Sequence, residues 1–106
     1  MQYHVGMIES YGNAEAQRIF EDGKVKKLPK PLLKRAIQLL DIMENVDSLN
    51  DLKTKGFPPD IRLHSLKGEY KGRYAIDINK IDGWRITFEF HDNKFHRVII
   101  ENYHKG

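Results

Sequence analysis

A chain of 106 residues, 40% hydrophobic and without cysteine, suits one modest core and excludes disulfides and thiol chemistry. It has no apolar run of about 18 residues to suggest a membrane span. Its start, Met1-Gln-Tyr-His-Val5, lacks a secretory pattern, so a reducing cytoplasm is the expected compartment. The net charge of +3 arises in the second half: residues 1–53 carry eight basic and eight acidic side chains, residues 54–106 ten and seven.

In chain order, Val5 to Tyr11 suits a short strand. Asn13 is placed to cap a helix running through Ala14-Glu-Ala-Gln-Arg-Ile-Phe20, with Gly23 just past its end. Lys24, Lys26, Lys27 and Lys30 form a basic stretch between helices, suited to solvent and also to RNA phosphates. Pro29 and Pro31 open a second helix, whose Leu33, Ala36, Ile37, Leu40 and Met43 recur at helical spacing and form a stripe to be buried. Ser48-Leu-Asn-Asp51 reads as a capping box for one further turn. Lys55-Gly-Phe-Pro-Pro59 ends the helical half.

From there the apolar period is two. Ile61–Leu66 reads as a strand. Tyr74, Ile76 and Ile78 alternate with Ala75, Asp77 and Asn79. Asp82-Gly83 makes a turn, and Trp84, Ile86, Phe88 and Phe90 alternate with Arg85, Thr87, Glu89 and His91. Asp92-Asn93 is the next turn, and Phe95–Tyr103 the last strand. Short turns pair such strands antiparallel. The predicted fold is α+β, with two N-terminal helices packed on a small antiparallel β-sheet of three to five strands, and one domain over 1–106.

Alternation also sorts the polar residues. With Trp84, Ile86 and Phe88 facing the helices, Arg85 faces away, and Arg62 and His64 turn the same way from Leu63. Lys67 lies at the rim. Tyr103 and His104 follow at the end of the last strand. Between positions 62 and 73, Arg62, Lys67, Lys71 and Arg73 stand against one anion, Glu69, a patch suited to a polyanion and equally to a solvated loop. These residue types match RNA cleavage by an internal 2′-hydroxyl. One group removes its proton, another protonates the leaving 5′-oxygen, and a cation offsets charge on the transition state. Histidine serves as acid or base, Arg and Lys hold phosphate, and Tyr stacks or donates. Each has a plain alternative: a histidine on a half-exposed strand is ordinarily structural, Arg85 could pair with Glu89 or Asp77, and Tyr103 could be a sheet-edge aromatic. His91, Asp92 and His96 flank a turn at a spacing that no common metal site uses, so both histidines read as exposed turn residues. No metal or other cofactor is expected.

The blocks Arg62-Leu-His-Ser-Leu-Lys-Gly68, Trp84-Arg-Ile-Thr-Phe88 and Tyr103-His104 resemble the HigB branch of the RelE/ParE toxin superfamily. Ile8-Glu-Ser-Tyr11, Arg18-Ile-Phe20, Leu28-Pro29 and Leu39-Leu-Asp41 extend the likeness over residues 7–104, which leaves 1–6 as a small extension. The resemblance implies a compact toxin of a type II toxin–antitoxin pair that cleaves messenger RNA in the ribosomal A site. Its implied partner is a helix-turn-helix, HigA-like antitoxin, and operator DNA is met only through that complex. The resemblance puts function on His64, Arg85, Tyr103 and His104, the expected catalytic set, and on Lys67. The cationic stretch adds Arg62, Lys71 and Arg73, which with Lys67 and Asn102 are the residues expected on the substrate. The family often has Asp where this chain has Asn102. An amide can be neither a base nor an anionic partner for histidine. ParE-like members that inhibit gyrase and a plain RNA- or protein-binding module are the alternative readings.

Overall fold

The computed structural model describes residues 6–22, 28–54 and 62–103, without the side chains of 20–22, 53 and 54. The period-two half folds into a four-stranded antiparallel meander: β1 (His64–Ser65), β2 (Arg73–Asn79), β3 (Trp84–His91) and β4 (Lys94–Asn102), neighbours in that order. Asp92 and Asn93 both take positive φ, 52° and 60°. That is the two-residue hairpin turn whose twist suits the flanking strands. A short 3₁₀ turn, Gly68–Tyr70, links β1 to β2.

The helical half gives α1 (Ala14–Asp22), α2 (Lys30–Asn45) and a single turn, α3 (Asp51–Thr54). Ala16 and Ile19 of α1 and Ala36, Leu39, Leu40 and Met43 of α2 join Ile76, Ile78, Ile86, Phe88, Val98 and Ile100 of the sheet in one core. Phe95 meets Phe88 edge to face at 4.9 Å, the arrangement that aromatic quadrupoles favour. This is the predicted α+β architecture. Among the described residues no helix is long and apolar enough to cross a membrane.

Local chemistry fixes the element ends. Asn13 Oδ1 accepts from the Ala16 N–H at 3.2 Å, capping α1, while its amide donates to the Ile100 carbonyl at 2.8 Å. One side chain therefore starts a helix and ties it to β4. Pro31 sits in the first turn of α2, where a missing N–H costs nothing. Ser48 Oγ accepts from the Asp51 N–H at 3.3 Å, and Asp51 accepts from the Asp47 N–H at 3.0 Å. The reciprocal bond of the expected capping box is thus displaced by one residue.

Three expectations change. Ile37 is 39% exposed, and Leu39 is fully buried in its place. At 100° per residue Ile37 falls at the edge of the arc centred on Ala36, Leu40 and Met43. Residues 6–11 form no strand: only the isolated parallel bridges Ile8↔Phe95 and Tyr11↔Val98 join this segment to β4. β1 contracts to two residues, and Ile61, like Gly23 and Lys55–Pro59, lies outside the described residues.

β4 also carries an irregularity. Thr87 pairs with Ile99 but Glu89 with His96, so Arg97 and Val98 together oppose Phe88. Arg97 has φ 50° and is exposed, while Phe95, Val98 and Ile100 are buried. This β-bulge re-phases the strand.

Asn13→Ala removes a helix cap and a cross-tie together. It should lower unfolding free energy by about 1–2 kcal/mol, measured by urea denaturation. Asn13→Asp, which keeps the cap and loses the donor to Ile100, should fall between the two.

Candidate active site

The face of the sheet turned away from α1 and α2 is a grid set by strand register. His64 stands opposite Ala75, Ala75 opposite Thr87, and Thr87 opposite Ile99. The next row runs Asp77, Arg85, Glu101, and Arg62 reaches Asp77 from beyond β1 at 3.1 Å. That contact is a charge contact, since Asp77 Oδ2 has no aligned hydrogen bond. A third row holds Arg73, Glu89 and His96. Ala75, Asp77 and Thr87 at the centre are buried.

His64 and Arg85 thus share the outer face, two strands and two residues apart, roughly 12 Å between Cα atoms from ordinary sheet spacings. The structure does not bring the two side chains together. His64 Nδ1 lies 2.6 Å from the Arg62 carbonyl oxygen. A carbonyl only accepts, so Nδ1 must carry the proton and Nε2 is left as the nitrogen that can exchange one.

Arg85 leans the other way. Its Nη2 lies 3.3 Å from Glu101 Oε2, and its Cζ lies 4.8 Å from the Tyr103 ring centroid and 6.0 Å from that of Tyr70. Only 12% of the side chain is exposed, and Arg85 Nε has no hydrogen-bond partner among the described residues. A buried donor left unpaired is costly, and Glu101 meets the guanidinium only at Nη2. Of the pairings considered for Arg85, neither Glu89 nor Asp77 is its salt-bridge partner; Glu101 is.

The other positions divide. Lys67 and Lys71 are exposed around the 3₁₀ turn. Arg73 is committed to the fold: it donates to Glu89 at 3.2 Å, Thr87 Oγ1 at 2.9 Å and the Arg97 carbonyl at 2.8 Å. Burial pulls its pKa below the ordinary value, opposed by Glu89. Asn102 donates through its amide to the Asp82 carbonyl at 2.9 Å, bracing the β2–β3 turn. Tyr103 donates to the Gly83 carbonyl through its backbone at 3.0 Å, just past β4. His104 lies outside the described residues, as do His4, Lys24, Lys26 and Lys27.

Sequence reasoning passed over Glu101 and Tyr70. Glu101 is found only when the bulge is counted into the alternation of β4. Tyr70 sits in an aperiodic turn that gives no such signal. The hairpin tip also differs from expectation, because His91, Asp92 and His96 bring possible ligand atoms within 4.8 Å of one another. The two imidazoles stack at 3.7 Å, 8° from parallel. A metal bound by a ring nitrogen lies near that ring's plane about 2.0–2.1 Å away, so these rotamers do not aim both rings at one ion.

Residues 9–104 match the model of a family described as the RelE-like toxin of the type II toxin–antitoxin system HigB. The chain belongs to the HigB-like toxin family. It is 26% identical over 98 residues to the Endoribonuclease HigB of Proteus vulgaris, covering 92% of this chain and all of that one. Its fold resembles the E. coli DinJ–YafQ toxin–antitoxin complex structure at a TM-score of 0.51 and 16% identity, over 94% of this chain and 99% of that one. YafQ from E. coli strain BL21(DE3) aligns with a TM-score of 0.48 at 15% identity, over 93% and 99%. Membership of a type II system makes an antitoxin the partner of this HigB-like toxin.

Two substitutions test these assignments. Arg73→Met removes three cross-strand bonds and leaves Glu89 to Arg97 and His91, and should cost the toxin about 2–4 kcal/mol of stability, read from denaturant midpoints. Asn102→Asp puts a carboxylate against the Asp82 carbonyl. In place of the harmless carboxylate that the family pattern suggests, it should destabilise the toxin by about 0.5–1.5 kcal/mol at neutral pH, seen as a lower melting temperature.

Proposed function

We propose that this HigB-like toxin is an endoribonuclease that cuts messenger RNA in the ribosomal A site by metal-free acid–base chemistry and so stops translation in the cytoplasm. The observation that carries this reading is His64: its Nδ1–H is anchored, its Nε2 can exchange a proton, and it shares a face with the unsatisfied Nε of Arg85. In the reaction the 2′-oxygen attacks phosphorus and gives up its proton, the bond from phosphorus to the 5′-oxygen breaks, and that oxygen takes a proton. His64 and His104 are the proton carriers. Arg85 meets the charge that grows on the phosphoryl oxygens, Lys67 adds positive charge at the rim, and Tyr103 covers Arg85 and positions the nucleotide. Arg62 and Lys71 extend the cationic border. The activity named for the Proteus relative supports the same reading. The cognate antitoxin is a HigA-like helix-turn-helix protein that carries the pair to operator DNA.

The ribosome supplies what the open sheet lacks. Proton transfer by a placed side chain gives about 10²–10⁴-fold, and the remainder depends on holding the 2′-oxygen in line with phosphorus. A codon already constrained in the A site meets that need. Purified toxin should therefore cut programmed ribosomes efficiently and naked RNA poorly. Association should weaken as salt rises, and excess chelator should leave cleavage intact on any substrate that does not itself need magnesium. Arg85→Ala and His64→Ala should each lower the single-turnover rate by about 10²-fold or more. Intact messages with accumulating gyrase–DNA complexes after induction would support a ParE-like inhibitor instead.

A further inference from the structure

Tyr70 has no use in the core. The residue is 47% exposed, and it belongs neither to the hydrophobic cluster nor to the partly buried residues packed against it. Yet its backbone is held in place. The Tyr70 N–H donates to the Lys67 carbonyl at 3.3 Å, the Lys71 N–H to the Gly68 carbonyl at 3.1 Å, and Gly68 has φ 68°. That conformation disfavours any side chain, so Gly68 sets the backbone turn from which Tyr70 projects.

The ring borders a cleft of about 540 Å³ on the outer face, with Lys71, Arg73 and Arg97 on its walls and the Arg85 guanidinium 6.0 Å away. Glu69, Glu89 and Glu101 also line it. Glu89 is engaged by Arg73 and Arg97, and Glu101 by Arg85, which leaves Glu69 as the carboxylate without such a bridge among the described residues. An aromatic face beside clustered cations matches a planar base joined to a phosphate, because base–aromatic stacking and phosphate–cation contact then act on one nucleotide.

We propose that Tyr70 is a substrate-stacking residue: it receives a nucleobase of the bound message next to the scissile phosphate, with Lys71 and Arg97 facing the backbone. This rests on the nuclease reading and adds a contact that lies outside the His64, Arg85, Tyr103 and His104 set. Stacking accepts any base, so Tyr70 strengthens binding of the codon without choosing its sequence.

The test compares wild type, Tyr70→Phe, Tyr70→Leu and Tyr70→Ser on programmed ribosomes, with 2-aminopurine in the A-site codon as a stacking probe. Tyr70→Phe should behave as wild type. The leucine and serine variants should raise the half-saturating ribosome concentration about 5- to 150-fold, with a smaller change in the saturated rate and the melting temperature held. Wild type and Tyr70→Phe should quench the probe, and the other two should not. Wild-type constants and quenching in both truncated variants, while His64→Ala is inactive, would overturn the role of Tyr70 and leave the nuclease reading standing. Normal cleavage with weakened antitoxin neutralisation would overturn it too, as would loss in Tyr70→Phe equal to that in Tyr70→Leu. A wild-type protein that cuts no message on ribosomes removes both readings together.

Discussion

One extra residue in the last strand decides which side chains meet on the outer face. Without the bulge at Arg97 and Val98, strict alternation from Phe95 would turn Ile99 and Glu101 toward the core and leave Ile100 outside. With it, Val98 and Ile100 complete the core, and Glu101 stands opposite Arg85. The exposed bulge is itself held: the Arg97 N–H donates to Ser10 Oγ at 2.9 Å, the Val98 N–H to the Ser10 carbonyl at 3.0 Å, and the Arg97 carbonyl accepts from Arg73. Bulges are enriched where a sheet must re-aim side chains near a site, and here the shift governs the surroundings of Arg85.

The outer face is close to electrically balanced before any substrate arrives. Arg62, Arg73, Arg85 and Arg97 each lie within salt-bridge distance of Asp77, Glu89 or Glu101. Isolated cations on a sheet would repel one another and loosen the ladder, whereas cross-strand opposite charges support it. A phosphate entering near Arg85 competes with a carboxylate of like sign. The guanidinium therefore keeps an anionic neighbour throughout, and affinity follows from the difference between two partners rather than from a bare charge.

Much of this was legible from residue order. The Tyr74–Asn79 and Trp84–His91 alternation fixed faces, Asp92-Asn93 fixed a turn, and Asn13 fixed a helix start, because each is a local rule. The misses are tertiary. Ile37 and Leu39 are equally apolar, and only the sheet beneath them settles which is covered. The bulge depends on Ser10, 87 residues from Arg97. Asn102 reads by its position as a substrate contact, and only the folded turn supplies the Asp82 carbonyl that its amide meets. Tyr70 belongs to no period, so nothing short of the cleft marks it.

The contact between residues 6–13 and β4 has a consequence for the birth of the molecule. β2 to β4 are joined by short turns, so their pairing is local and fast by topology. The clasp is not. Lys94 reaches the Gly6 carbonyl, and Asn13 reaches Ile100, across 88 and 87 residues of chain. Closing such a loop carries an entropy cost that grows with the logarithm of its length, and it cannot close until β4 has been synthesised. Because β4 also carries Glu101 and leads directly into Tyr103, a partly made chain holds neither the clasp nor the finished outer face. Vectorial synthesis thus delays the complete arrangement until β4 itself has left the ribosome that makes it.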